Sequence, residues 1–100
     1  MTSHFPYDRM GMDSVERVAT RLRELRQRHG ITQQELAEVA DMSQNFLQQI
    51  EARRKKEIWL STVERLAAAF CLELHEFLAP EAPPKTELAK KVVSSRVHRR

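Results

Sequence analysis

Four amide side chains, Gln44, Asn45, Gln48 and Gln49, crowd the end of the segment TQQELAEVADMSQNFLQQIE at residues 32–51. A carboxamide carries a donor and an acceptor on one planar group. That pair matches the donor and acceptor that adenine presents in the major groove of B-DNA, and each good bidentate match is worth about 1–3 kcal/mol of discrimination. Gln44 and Asn45 are neighbours, and Gln49 lies four residues past Asn45, one helical turn along the same face. Amides at this spacing suit the reading of base edges, with Gln44, Asn45 and Gln49 as the first choices and Gln48 next. The alternative is that they solvate an exposed helix face.

Reading bases requires a helix that is held rigidly, and the same segment predicts how. Thr32 and Glu35 form a T-x-x-E capping box that starts one short helix. Leu36 and Ala40 repeat at i, i+4 and turn one face inward, while Ala37 is small enough to admit a crossing helix. Asp41 tolerates a left-handed backbone and suits a tight turn. Met42 supplies an apolar plug, and Ser43 can cap the second helix. In that helix Leu47 and Ile50 lie on the inner face, which leaves the amides outside. Val39 is apolar with no evident reason.

The rest of the chain frames this pair. Asp13 and Glu16 make another capping box, and Val15, Val18, Leu22 and Leu25 carry the inner face of a helix to about His29, ended by Gly30. Ser61 and Glu64 predict a third capping box, followed by Val63, Leu66, Ala67 and Phe70 at helical spacing. A fifth helix over residues 74–78 stops at Pro80. The three prolines of PEAPP, residues 80–84, cannot continue it and read as a linker. TELAKKVVSS beyond them could form two marginal helical turns. Residues 1–12 show no periodicity and read as an arm. The expectation is an all-α chain of five short helices over residues 13–79, with an N-terminal arm at 1–12 and a proline-containing linker and basic tail at 80–100.

Composition narrows the function classes. One hundred residues allow one domain with a modest core. Two glycines and six aromatics argue against a sandwich or barrel. No apolar run approaches the roughly 18 residues of a membrane span, and no signal-peptide pattern opens the chain. A lone cysteine, Cys71, excludes an internal disulfide, fits a reducing cytoplasm and sits beside an apolar stripe, where a core position is expected. The net charge of +3 is unevenly placed. Residues 85–100 hold six cations against Glu87, so the remainder holds eleven cations against thirteen acids. The high pI therefore belongs to the tail. Within the body, Arg53, Arg54, Lys55 and Lys56 form a basic run just after the amide helix, and Arg17, Arg21, Arg23, Arg26 and Arg28 charge the first helix. His4, His29, His75 and His98 are scattered, with no zinc-ligand spacing, and two glycines cannot build a phosphate loop. Neither an enzyme nor a cofactor or metal is expected.

From about Val18 to Leu78 the chain resembles the phage repressor and Cro family, also called the Xre family. The resemblance is carried by LRELRQRHGITQQELA, the turn and the amide helix, IWLSTVERLAAAF and LHEFL. Leu36, Ala37, Leu47 and Ile50 fall on its packing positions. Asp41 stands where the family has a turn glycine, and EARRKKEI is one residue longer and lacks the glycine after Glu51.

The resemblance implies a five-helix, lambda-repressor-like domain whose helix-turn-helix binds double-stranded DNA. It implies that Gln33 bonds a phosphate and braces the first recognition-helix glutamine. Ser43, Arg54 and Lys55 join the phosphate contacts, and such contacts position a protein without reading sequence. Arg26 and Glu51 take the place of an interhelical ion pair. Phe46 can pack on the preceding helix or touch a thymine methyl, packing being favoured. A homodimer follows, with Trp59, Leu74, Phe77 and Leu78 as interface candidates, although these residues could equally close the monomer core. The function implied is a small cytoplasmic transcriptional regulator, prokaryotic or phage, of a short palindromic operator. The rival from another class is an antitoxin-like module that engages a partner protein through the C-terminal tail and autoregulates its promoter.

Overall fold

The computed structural model describes residues 13–90, which form five α-helices and no strand. The helices are α1 (Ser14–His29), α2 (Gln33–Ala40), α3 (Gln44–Glu51), α4 (Leu60–Ala69) and α5 (Leu74–Leu78). The expected arm at 1–12 and the distal tail at 91–100 lie outside the described residues.

Helix starts follow the capping chemistry with one exception. Asp13 accepts from the Glu16 amide and Glu16 returns a bond to the Asp13 amide, and Thr32 and Glu35 do the same for α2. Ser43 Oγ accepts from the Phe46 amide at 3.1 Å. The expected box at Ser61 and Glu64 does not form. α4 begins two residues earlier, at Leu60, and its N-cap is Trp59, which offers no side-chain acceptor. Glu73 and Glu76 instead box the start of α5.

Four helices end in the same way. One residue past the C-terminus in α1 and α2, and two residues past it in α3 and α4, the backbone turns left-handed, with φ of 63° at Gly30, 61° at Asp41, 61° at Arg53 and 58° at Cys71. The turn lets two amides return to the last turn of the helix, as when Asp41 N–H donates to Glu38 and Met42 N–H to Ala37. These bonds satisfy carbonyls that would otherwise be orphaned. Only one of the four residues is a glycine. Cys71 is thereby turned outward and exposed, which corrects the expectation that it joins the core.

The core gathers Val18, Leu22 and Leu25 of α1, Leu36, Val39 and Ala40 of α2, Leu47 and Ile50 of α3, Leu66 and Phe70, and Phe77 of α5. Val39, without a role in the sequence, is one of its buried members. Phe77 is fully buried and closes the monomer core, so it is withdrawn from the dimer candidates. Leu74 and Leu78 are partly buried against the same core.

The prolines end α5, but the chain does not leave the domain at that point. Residues 80–90 fold back without helix, so the two turns expected after the prolines are absent through Lys90. Ala89 N–H donates to Ala69 O at 2.9 Å, and Leu88 packs on the core. Arginines of α1 hold the end of α5 and the strap that follows it. Arg21, only 2% exposed, donates to the carbonyls of Phe77 and Ala79 at 2.6 and 2.7 Å, and to Glu24. Arg17 donates to Pro80 O and Arg28 to Pro83 O. His29 meets the Thr86 hydroxyl at 2.8 Å.

Candidate nucleic-acid interface

α2 and α3 pack on each other, α1 packs on α3, and α4 closes on α2. Leu47 and Ile50 are fully buried between these neighbours. Their burial, worth roughly 1.5–3 kcal/mol for each side chain, fixes which face of α3 remains outside. Gln44, Asn45 and Gln48 are exposed on that face, and Gln49 is half-buried beside them. The structure thus brings the four amides together on one short helix with the core at its back. Phe46, between the two faces, packs its ring on the core.

The carboxylate of Glu51, at the end of α3, ties that helix to both of its predecessors. Arg26 Nε donates to Oε2 at 2.9 Å and Arg26 Nη2 to Oε1 at 3.0 Å. This fork geometry is the strong form of an ion pair. Arg26 Nη1 also reaches Ile31 O, in the turn before α2. Gln33 Nε2 donates to Oε1 at 3.0 Å. The brace expected from Gln33 toward Gln44 is replaced by this bond to Glu51. A further α1 side chain, Arg23, donates to the Glu51 carbonyl at 2.8 Å and caps the C-terminus of α3. The Glu51 side chain is 4% exposed and that of Arg26 is 20% exposed, so the pair is largely withdrawn from water.

The turn between α2 and α3 is held from α4. Arg65 Nη1 donates to Asp41 O at 3.2 Å, which fixes the left-handed turn residue from outside the motif. Sequence reasoning missed this contact, and nothing local to the turn signals it. It also missed Arg21 and Arg23, which look like ordinary surface charges of α1. A signal did exist for Arg21. It stands three residues after Val18 and four before Leu25, inside the apolar stripe rather than opposite to it.

The basic run follows α3 directly. Arg53 occupies its left-handed position and reaches Glu16 at 3.4 Å. Arg54 and Lys56 are exposed, and Lys55 is half-buried with its ammonium 5.0 Å from the centre of the Phe46 ring. Phe46, Lys55, Ile58, Trp59 and Arg65 border a cleft of about 540 Å³ between α3 and α4. Trp59 is 80% exposed and Leu60 61% exposed, large apolar side chains left facing water. Among the described residues no group of three or more His, Cys, Asp or Glu side chains could hold a metal ion. No described helix is long and apolar enough to cross a membrane.

Two successive helices, a tight left-handed turn and an amide-bearing second helix braced at its far end define a helix-turn-helix. A comparison with family models agrees, matching residues 17–78 to the helix-turn-helix domain family. The chain belongs to that family, and a helix-turn-helix domain implies DNA as the partner. No curated protein and no solved structure matches the chain.

Arg26→Met keeps most of the stem packing but leaves Glu51 buried without its cation. Stability should fall by about 3 kcal/mol, the lower end of the range for half of a broken buried pair. Urea denaturation measures this. A loss under about 1 kcal/mol would place the pair with solvent-screened surface bridges.

Proposed function

We propose that the chain is a transcriptional regulator of the phage repressor and Cro type, working in the cytoplasm of a prokaryote or on behalf of a phage. It binds a short palindromic operator as a homodimer. The observation that carries this reading is the presentation of Gln44, Asn45 and Gln49 on the outer face of a helix whose end is tied to α1 and α2 through Glu51. A recognition helix enters the major groove by its N-terminal residues, and the amides in the first turn, Gln44 and Asn45, are the ones that reach bases first. Gln49 reads one turn deeper, and Gln48 lies beside it.

Phosphate contacts position the helix. Gln33 uses one amide hydrogen on Glu51, and the second remains for a phosphate oxygen. The backbone N–H groups at the start of α2 have no helical acceptor and suit the same anion. Ser43, Arg54 and Lys55 flank the groove from the other side.

The dimer is assigned to the surface around Trp59. Of the four interface candidates it alone is fully open to solvent, and Leu60 extends the apolar surface. Arg65 stands near it with Glu57, so a two-fold axis there pairs unlike charges. The rival reading, a tail that captures a partner protein, loses part of its surface because Leu88 is already packed on the core.

Gln44→Ala combined with Gln49→Ala should cut the preference for operator over random DNA by about 2–6 kcal/mol, since each amide carries about 1–3 kcal/mol. Competition binding measures the ratio while circular dichroism checks the fold. Equal preference in wild type and variant would remove the amides from base reading. Trp59→Glu should shift sedimentation from dimer to monomer without loss of helix content, and a wild-type chain that sediments only as monomer, with or without operator, would remove the homodimer.

A further inference from the structure

The four cations after α3 are held in different ways. Arg53 is turned back to Glu16. Arg54 and Lys56 are exposed, and neither has a salt bridge among the described residues. Lys55 is held by an aromatic ring, its Nζ 5.0 Å from the Phe46 centroid. Glu57 borders the same cleft, yet no described carboxylate forms a salt bridge with Lys55.

The difference has a chemical consequence. A carboxylate that fixes a lysine also cancels its charge and occupies its N–H donors. The face of an aromatic ring attracts the ammonium through its quadrupole and accepts no strong hydrogen bond. The charge and the donors therefore stay available. The ring is also well placed. Phe46 follows Gln44 and Asn45 in the first turn of α3, and its back is packed on the core.

We propose that Phe46 is a positioning residue for phosphate recognition, its ring holding the Lys55 ammonium beside the first turn of α3 so that it meets a phosphodiester oxygen flanking the bases that Gln44 and Asn45 address. The proposal rests on the DNA-binding reading above and adds to it a reason for the aromatic at position 46. A lysine held in this way loses less rotamer freedom on binding than a free one, and the effect reaches DNA of any sequence.

A double-mutant cycle on a long random-sequence duplex tests this. Phe46→Leu keeps an apolar side chain on the core and removes the ring. It should weaken binding about two- to fivefold, the size of an exposed cation–π contact. Lys55→Gln should lower the slope of log affinity against log salt by about 0.9. Adding Phe46→Leu to Lys55→Gln should cost nothing further, and Phe46→Tyr should restore wild-type affinity. In the unbound protein, ring-current shifts of the Lys55 methylene protons should be present in wild type and lost in Phe46→Leu, which reads the contact without DNA. Equal losses from Phe46→Leu in both backgrounds would mean that the ring only packs, and would overturn the proposal alone. An unchanged slope in Lys55→Gln would overturn it by removing the phosphate contact. Absent duplex binding by a folded wild-type chain would overturn the DNA reading and the proposal together.

Discussion

The geometry of the motif depends on one buried carboxylate. Glu51 sits at the end of the recognition helix and receives bonds from Arg26 of α1 and Gln33 of α2. A carboxylate taken out of water is costly unless its lone pairs are met, and here the partners come from the two helices whose angles to α3 matter. Apolar contacts alone are non-directional and would leave α3 free to slide on its neighbours. Directional bonds from Arg26 and Gln33 at its C-terminal end, and from Arg65 to the turn before it, limit that freedom. The amides on the outer face then inherit a defined position relative to the start of α2.

The same economy appears at the helix ends. With two glycines in the chain, three of the four left-handed C-terminal residues must carry side chains. Each conformation costs on the order of 1–2 kcal/mol, offset by the carbonyls it satisfies. At Asp41 the bond from Arg65 adds support, and at Arg53 the side chain finds Glu16. The turns at Gly30, Asp41 and Cys71 join successive helices through three or four residues, which keeps the motif small.

Much of this was legible in the residues. Capping boxes at Asp13 and Thr32, the cap at Ser43, the stop at Gly30 and the inward stripe of Leu36, Leu47 and Ile50 depend on neighbours in the chain, and local chemistry settles them. So did Asp41, a residue that bears the left-handed backbone. Failures came where a distant partner decided. The Ser61 box lost to an earlier start at Leu60. Cys71 was carried outward by a turn that no glycine announced. Residues 80–84 read as a linker because prolines exclude helix, but prolines do not exclude a strap packed on the domain, and the arginines that hold it lie more than fifty residues upstream. Phe77 and Trp59 were equal candidates for burial by composition, and only packing separates them into a core residue and an exposed one.

The central claim is that amides on a rigidly tied α3 read bases and that two copies read related half-sites. Selection of bound duplexes from a randomised pool tests it most directly. The enriched sequences should share an adenine-containing half-site repeated with two-fold symmetry, centres about one helical turn, roughly 34 Å, apart. A recovered pool with no common sequence, bound no more tightly than unselected DNA, would contradict it.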